Sequence, residues 1–87
     1  MLRIQRLSNG QVVFTLSGEI REQQISELDA LLRSEKEGRP IVLDLKDVTL
    51  AVREAISFLE GCETDGVTLL NCPAYVREWI TRNRHGS

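Results

Sequence analysis

The apolar run Ile41-Val42-Leu43-Asp44-Leu45 constrains this chain more than any other feature. Pro40 precedes it and Lys46-Asp47 follows it, and segments of helical periodicity lie on both sides. A short apolar run without alternation suits a strand buried on both faces. A strand that follows a helix and returns to the same sheet runs parallel to its predecessor. The run therefore argues for an α/β domain with a central parallel strand.

The flanking periodicities agree. Between Arg21 and Glu37, the residues Ile25, Leu28, Leu31 and Leu32 fall on one helical stripe. Gly38 is placed to end that helix and Pro40 to block its continuation. Beyond the run, Lys46-Asp47-Val48-Thr49 reads as a loop. Val52, Ala55, Ile56, Leu59 and Cys62 then form the sharpest stripe in the chain, ending at Gly66. Gly61 lies in the last turns of that helix and weakens them by about 1 kcal/mol relative to Ala.

The N-terminal segments Leu2 to Leu7 and Gln11 to Ser17 alternate apolar and polar residues, as half-buried strands do. Asn9-Gly10 between them suits a tight primed turn, which predicts a β-hairpin. Gly18 is expected to end the second strand. Val67 to Leu70 reads as a fourth strand. Pro73 suits the first turn of a last helix, whose inner stripe is Val76, Trp79 and Ile80. Trp79 is expected in the core because Trp is highly buried on average; an exposed patch with Tyr75 is the alternative.

The element order is β-β-α-β-α-β-α. It predicts a single small α/β domain over residues 1–87, with residues 83–87 as a frayed tail. Right-handed crossovers between neighbouring strands place the helices mainly on one face of a mixed four-stranded sheet. Val13, Val42 or Leu70 on the other face can form an apolar patch suited to a homodimer, or stand as scattered surface residues.

Several functions are disfavoured. The net charge of −2 gives no field for nucleic-acid binding, and Arg77, Arg82 and Arg84 do not supply one alone. No apolar run approaches the roughly 20 residues of a membrane span, and the N-terminus lacks a signal peptide's apolar core. The expected location is cytoplasmic, without membrane insertion. Cys62 and Cys72 form no Cys-x-x-Cys pair, and His85 is the one histidine, so no metal site or cofactor is expected. Cys62 falls on the core stripe. Glu22, Glu27, Glu35 and Glu37 occupy the solvated side of the first helix, and no glycine-rich phosphate loop exists. The chain does not read as an enzyme.

One region has a physical claim to function. Ligands and partners of open parallel sheets meet the edge where strands end and helices begin. Here that edge is Asp44 to Glu54. Asp44 ends a buried strand and needs hydrogen-bond partners, which makes it a structural polar residue. Arg53 and Glu54 fall outside the stripe of Val52, Ala55 and Ile56 and face outward. Glu54 either serves a partner or simply complements the helix dipole.

With these residues in view, the sequence resembles a STAS domain, the fold of bacterial anti-sigma factor antagonists. The similarity spans nearly the whole chain. It rests on the opening hairpin, Leu16-Ser-Gly-Glu-Ile20, Ile41-Val-Leu-Asp-Leu-Lys-Asp-Val-Thr49, and Val67-Thr-Leu-Leu-Asn-Cys-Pro73 before a helix. The resemblance implies a protein-interaction module. In the family a partner kinase, itself an anti-sigma factor, phosphorylates a serine in an Asp-Ser-Ser-Gly motif at the helix start. Here the matching residues are Val52-Arg53-Glu54-Ala55, so both serines are missing and Glu54 holds the acceptor position. Glutamate carries one charge where phosphoserine carries nearly two.

The resemblance thus implies a constitutive regulator or adaptor rather than a phosphoswitch, with a fixed phosphate-like state as the other reading. The partner-binding residues implied are Asp47, Thr49, Arg53, Glu54 and Ser57. The partner would be an anti-sigma factor/serine kinase or another signalling or transport protein. Alternatives are a STAS subunit of a lipid/ABC transport complex and a small-molecule or nucleotide-binding domain.

Overall fold

The computed structural model describes residues 2–35 and 40–85. In chain order the elements are β1 (Leu2–Ser8), β2 (Val12–Ile20), α1 (Glu22–Arg33), β3 (Ile41–Ala51), α2 (Arg53–Thr64), β4 (Thr68–Leu70) and α3 (Ala74–His85). The strands form one sheet in the order β1-β2-β3-β4. β1 pairs antiparallel with β2, and the other pairings are parallel. This is the mixed sheet the sequence predicts.

The hairpin closes differently from expectation. Ser8 pairs with Val12, so Asn9, Gly10 and Gln11 form a three-residue loop, closed by the Asn9 N–H donating to the Gln11 carbonyl at 2.9 Å. Only Gly10 takes a positive φ, +77°. One left-handed glycine in a three-residue loop suits a hairpin as well as a primed pair does.

Pleat alternation sorts the sheet residues. Val12, Phe14, Leu16, Leu43 and Leu45 face the helices and are almost fully buried, with Leu2, Ile4 and Leu69 packed beside them. Leu7, Val13, Val42 and Thr68 form a row on the opposite face, which no helix covers. Of the apolar residues on that face, Val42 is buried, Val13 half-buried, and Leu7 and Leu70 exposed.

β3 is longer than the sequence suggests. The segment read as a loop, Lys46 to Thr49, is strand, and β2 continues through Gly18 to Ile20. Register shifts explain both differences. Thr15 pairs with Asp44 but Ser17 with Asp47, and Gly18 pairs with Val48 but Glu19 with Leu50. Each shift inserts one extra residue on β3, a β-bulge. Gly18 takes φ +103° at the second shift, so it marks a bulge and not a strand end.

α1 ends at Arg33, short of the predicted Glu37. The Ser34 N–H donates to the Ala30 carbonyl at 3.1 Å, and its Oγ donates to the Leu31 carbonyl at 2.7 Å. A serine that satisfies terminal carbonyls in this way closes a helix. Gly38, expected as the C-terminal cap, and Glu37 lie outside the described residues. At the other end the Arg21 N–H donates to Gln24 Oε1 at 2.9 Å, half of a capping box.

α2 carries the central stripe, with Ala55, Ile56, Leu59 and Cys62 buried. α3 contributes Val76 and Ile80, both fully buried. Trp79 is not in the core; it is 42% exposed. α3 packs against α2, and this contact buries a stripe too narrow to include Trp79. Ion pairs among the described residues tie elements together, including Arg6 of β1 to Glu35 just past α1 at 2.9 Å and Arg77 of α3 to Glu63 of α2 at 2.9 Å.

Gly61 and Gly66 separate two effects of the same substitution. A Cβ at Gly61 meets no atom within 4 Å, and the position is helical. Gly61→Ala is expected to stabilise the fold by about 0.5–1 kcal/mol, since Ala is the better helix former. Gly66 sits at φ +101°, where any side chain is strained. Gly66→Ala is expected to destabilise by about 1–2 kcal/mol. Urea denaturation of the two variants checks both signs.

Candidate protein-interaction surface

The start of α2 is set by the end of the sheet. Val52 alone separates β3 from α2. Its N–H donates to the Ile20 carbonyl at 3.1 Å, and its carbonyl accepts the first helical bond from the Ile56 N–H at 3.0 Å. Ala51 and Ala55 on either side are buried. With these three points fixed, helical geometry directs Arg53 and Glu54 away from the core, and both are exposed. Ser57, one turn on, is also exposed. Val52 offers no side-chain cap, so the first turn keeps the positive end of the helix dipole uncapped.

Asp47 and Thr49 are exposed too, but they belong to β3. The core-facing residues there are Leu45, Val48 and Ala51, spaced by three because of the two bulges. Asp47 and Thr49 lie on the other side of the pleat, on the open face of the sheet. The structure therefore brings Arg53, Glu54 and Ser57 together on the outer surface of α2. It places Asp47 and Thr49 at the same end of the molecule but on the sheet face.

Asp44 is half-buried, and its Oδ1 accepts from the Lys46 N–H at 3.0 Å and from Asn71 Nδ2 at 3.2 Å. The first of these bonds spans the first bulge. The second joins β3 to the turn after β4, where Asn71 adopts φ +53°. The carboxylate thus links the backbone of β3 at Lys46 to the Asn71 side chain.

Sequence reasoning favoured Trp79 in the core and gave the Tyr75–Trp79 patch on α3 only as the alternative. A cleft of about 370 Å³ lies beside the start of α2, lined by Ala51, Arg53, Ile56 and Trp79. The Arg82 guanidinium stands 5.5 Å from the Trp79 ring centroid and pairs with Glu78 at 2.8 Å. The i, i+4 spacing of Tyr75 and Trp79 was the available signal; both are exposed.

Among the described residues no group of three or more His, Cys, Asp or Glu side chains could hold a metal ion. Among the described residues no helix is long and apolar enough to cross a membrane. Neither thiol is set up as a nucleophile: burial pushes the Cys62 thiol up to about 11, aided by Asp65 and Asp29, and burial also raises Cys72.

Comparison with solved structures shows the fold. The fold is that of a SpoIIAA-like, STAS-like α/β domain. The chain superposes on the anti-sigma factor antagonist SpoIIAA in its unphosphorylated form with a TM-score of 0.65, at 15% identity over 94% of this chain and 83% of that one. It superposes on an uncharacterized DUF3478-family protein with a SpoIIAA-like fold from Shewanella loihica PV-4 with a TM-score of 0.59. There the identity is 15% over 98% of this chain and 77% of the other. No protein-family model and no curated protein matches the chain.

The raised Cys62 pKa has a definite sign for stability. The folded state holds the thiol proton more tightly than the unfolded chain does. The contribution is complete below the unfolded value of about 8.5 and is lost as pH rises toward the folded value of about 11. The urea midpoint is expected to fall through that window, and to fall less in Cys62→Val. In the wild type at pH 8, a thiol reagent should modify Cys62 slowly until denaturant is added.

Proposed function

We propose that this protein is a non-catalytic interaction module that regulates another protein by binding it constitutively. The observation that carries the reading is the exposed Arg53–Glu54 pair at the start of α2. It stands on a fold shared with an anti-sigma factor antagonist. The partner that fits is a cytoplasmic anti-sigma factor of the serine-kinase type or another signalling protein.

The charges support constitutive binding over switching. Phosphorylation of a serine at a helix start adds nearly two negative charges and three acceptor oxygens. Glu54 has no hydroxyl to modify, carries one charge, and has the cation Arg53 as its neighbour in sequence. The pair offers a partner both signs of charge in one helical turn, and that turn does not change with kinase activity.

Titration calorimetry against histidine-kinase-fold anti-sigma proteins from the same genome tests this. Arg53→Glu combined with Glu54→Arg is expected to weaken binding about tenfold or more, equivalent to about 1.4 kcal/mol. Both residues are exposed, so the fold should survive. Unchanged affinity would place the binding surface elsewhere. Incubation with the kinase and ATP should leave both mass and affinity unchanged; phosphorylation of Ser57 with a change in affinity would overturn the constitutive reading.

A further inference from the structure

We propose that the cleft between the start of α2 and α3 receives an apolar side chain of the partner protein that stands beside a carboxylate. This rests on the interaction-module reading and adds the chemistry of the partner. The walls of the cleft are Ala51 and Ile56, both buried, and the Trp79 ring, 42% exposed; its polar lining residue is Arg53. A volume of about 370 Å³ is within the range that holds a small ligand or one large side chain.

Charge selects the occupant. Arg6, Arg21, Arg33, Arg77 and Arg82 are each ion-paired within the molecule. Arg53 forms no ion pair among the described residues, and it lines the cleft. Glu54 is one residue on, about 100° around the helix, and is not part of the lining. The cleft therefore combines apolar walls with one cation that has no ion-pair partner among the described residues. A side chain such as phenylalanine or leucine fills the apolar part, and an adjacent carboxylate meets the guanidinium. A basic or purely polar segment satisfies neither.

Trp79 is the chain's one tryptophan, so its fluorescence reports on the cleft directly. The probes are N-acetyl-phenylalanine, its neutral amide, and N-acetylglycine, titrated into the full chain and followed by Trp79 emission and amide-resolved NMR. The carboxylate probe is expected to bind with a Kd of about 1 mM and to shift Ala51, Arg53, Ile56 and the Trp79 indole. The amide should bind about threefold more weakly, and N-acetylglycine should not register. Arg53→Gln should erase the difference between acid and amide, and Trp79→Ala should remove the NMR shifts.

Equal affinity for acid and amide overturns the proposal, as do shifts confined to the open sheet face, or no shifts. Self-association that buries Trp79 overturns it too. In the partner titration, Trp79→Ala should weaken binding about 30-fold. Affinity lost on reversing the Arg53–Glu54 charges but kept in Trp79→Ala removes the cleft proposal and leaves the interaction-module reading intact.

Discussion

β3 is paired on both sides, and the placement of everything at the end that carries Arg53 and Glu54 follows from how it keeps register with β2. A strand without bulges would alternate, and Val48 and Ala51 would fall on opposite faces. The two extra residues on β3 change the core spacing to Leu45, Val48, Ala51, so all three reach the helices. Burying an aliphatic side chain of this kind stabilises by about 1.5–3 kcal/mol for the larger ones, which favours the bulged register over the slipped one. The bond from the Val52 N–H to the Ile20 carbonyl then fixes where the strand stops and α2 begins. No loop intervenes that could let the helix start drift. The outward direction of Arg53 and Glu54 is a consequence of the inward direction of Ala51, Ala55 and Ile56.

The same bulges explain what sequence reading could and could not see. Element order, strand order, the α2 stripe and the exposure of Arg53 and Glu54 were legible, because each rests on an undisturbed period of two or of about 3.6 residues. The far half of β3 was not legible, because a spacing of three matches neither period over so few residues. Gly18 added to this, since a glycine in a strand signals either an end or a bulge, and only the pairing partner decides. Trp79 was misplaced for a different reason. Its spacing from Val76 fits a buried stripe, but the width of that stripe depends on how many neighbours α3 has, and this is a property of the assembled fold.

The site has a corresponding division. Arg53, Glu54 and Ser57 are set by a helix, while Asp47 and Thr49 are set by a bulged strand and face the other way. A continuous line in sequence from Asp47 to Ser57 is therefore not a continuous surface. What replaces the missing part on the helix side is α3, which comes from the far end of the chain and supplies an aromatic wall. Periodicity along one segment carries no information about which distant segment packs beside it.

In the proposed interaction module, the arrangement separates two aspects of binding physically. Exposed charges at the rim act at long range and mainly influence how fast a complementary partner arrives. A desolvated apolar contact acts only after docking and mainly sets how long the partner stays. Glu54 and Ser57 lie on the exposed helix surface, whereas Ile56 and Trp79 line a concave one, and Arg53 belongs to both. A phosphoswitch at a helix start acts on the charged half by changing its sign and size. Under the proposed function, glutamate fixed at that position keeps the charged half constant and leaves discrimination among partners to the shape and polarity of the cleft beside it.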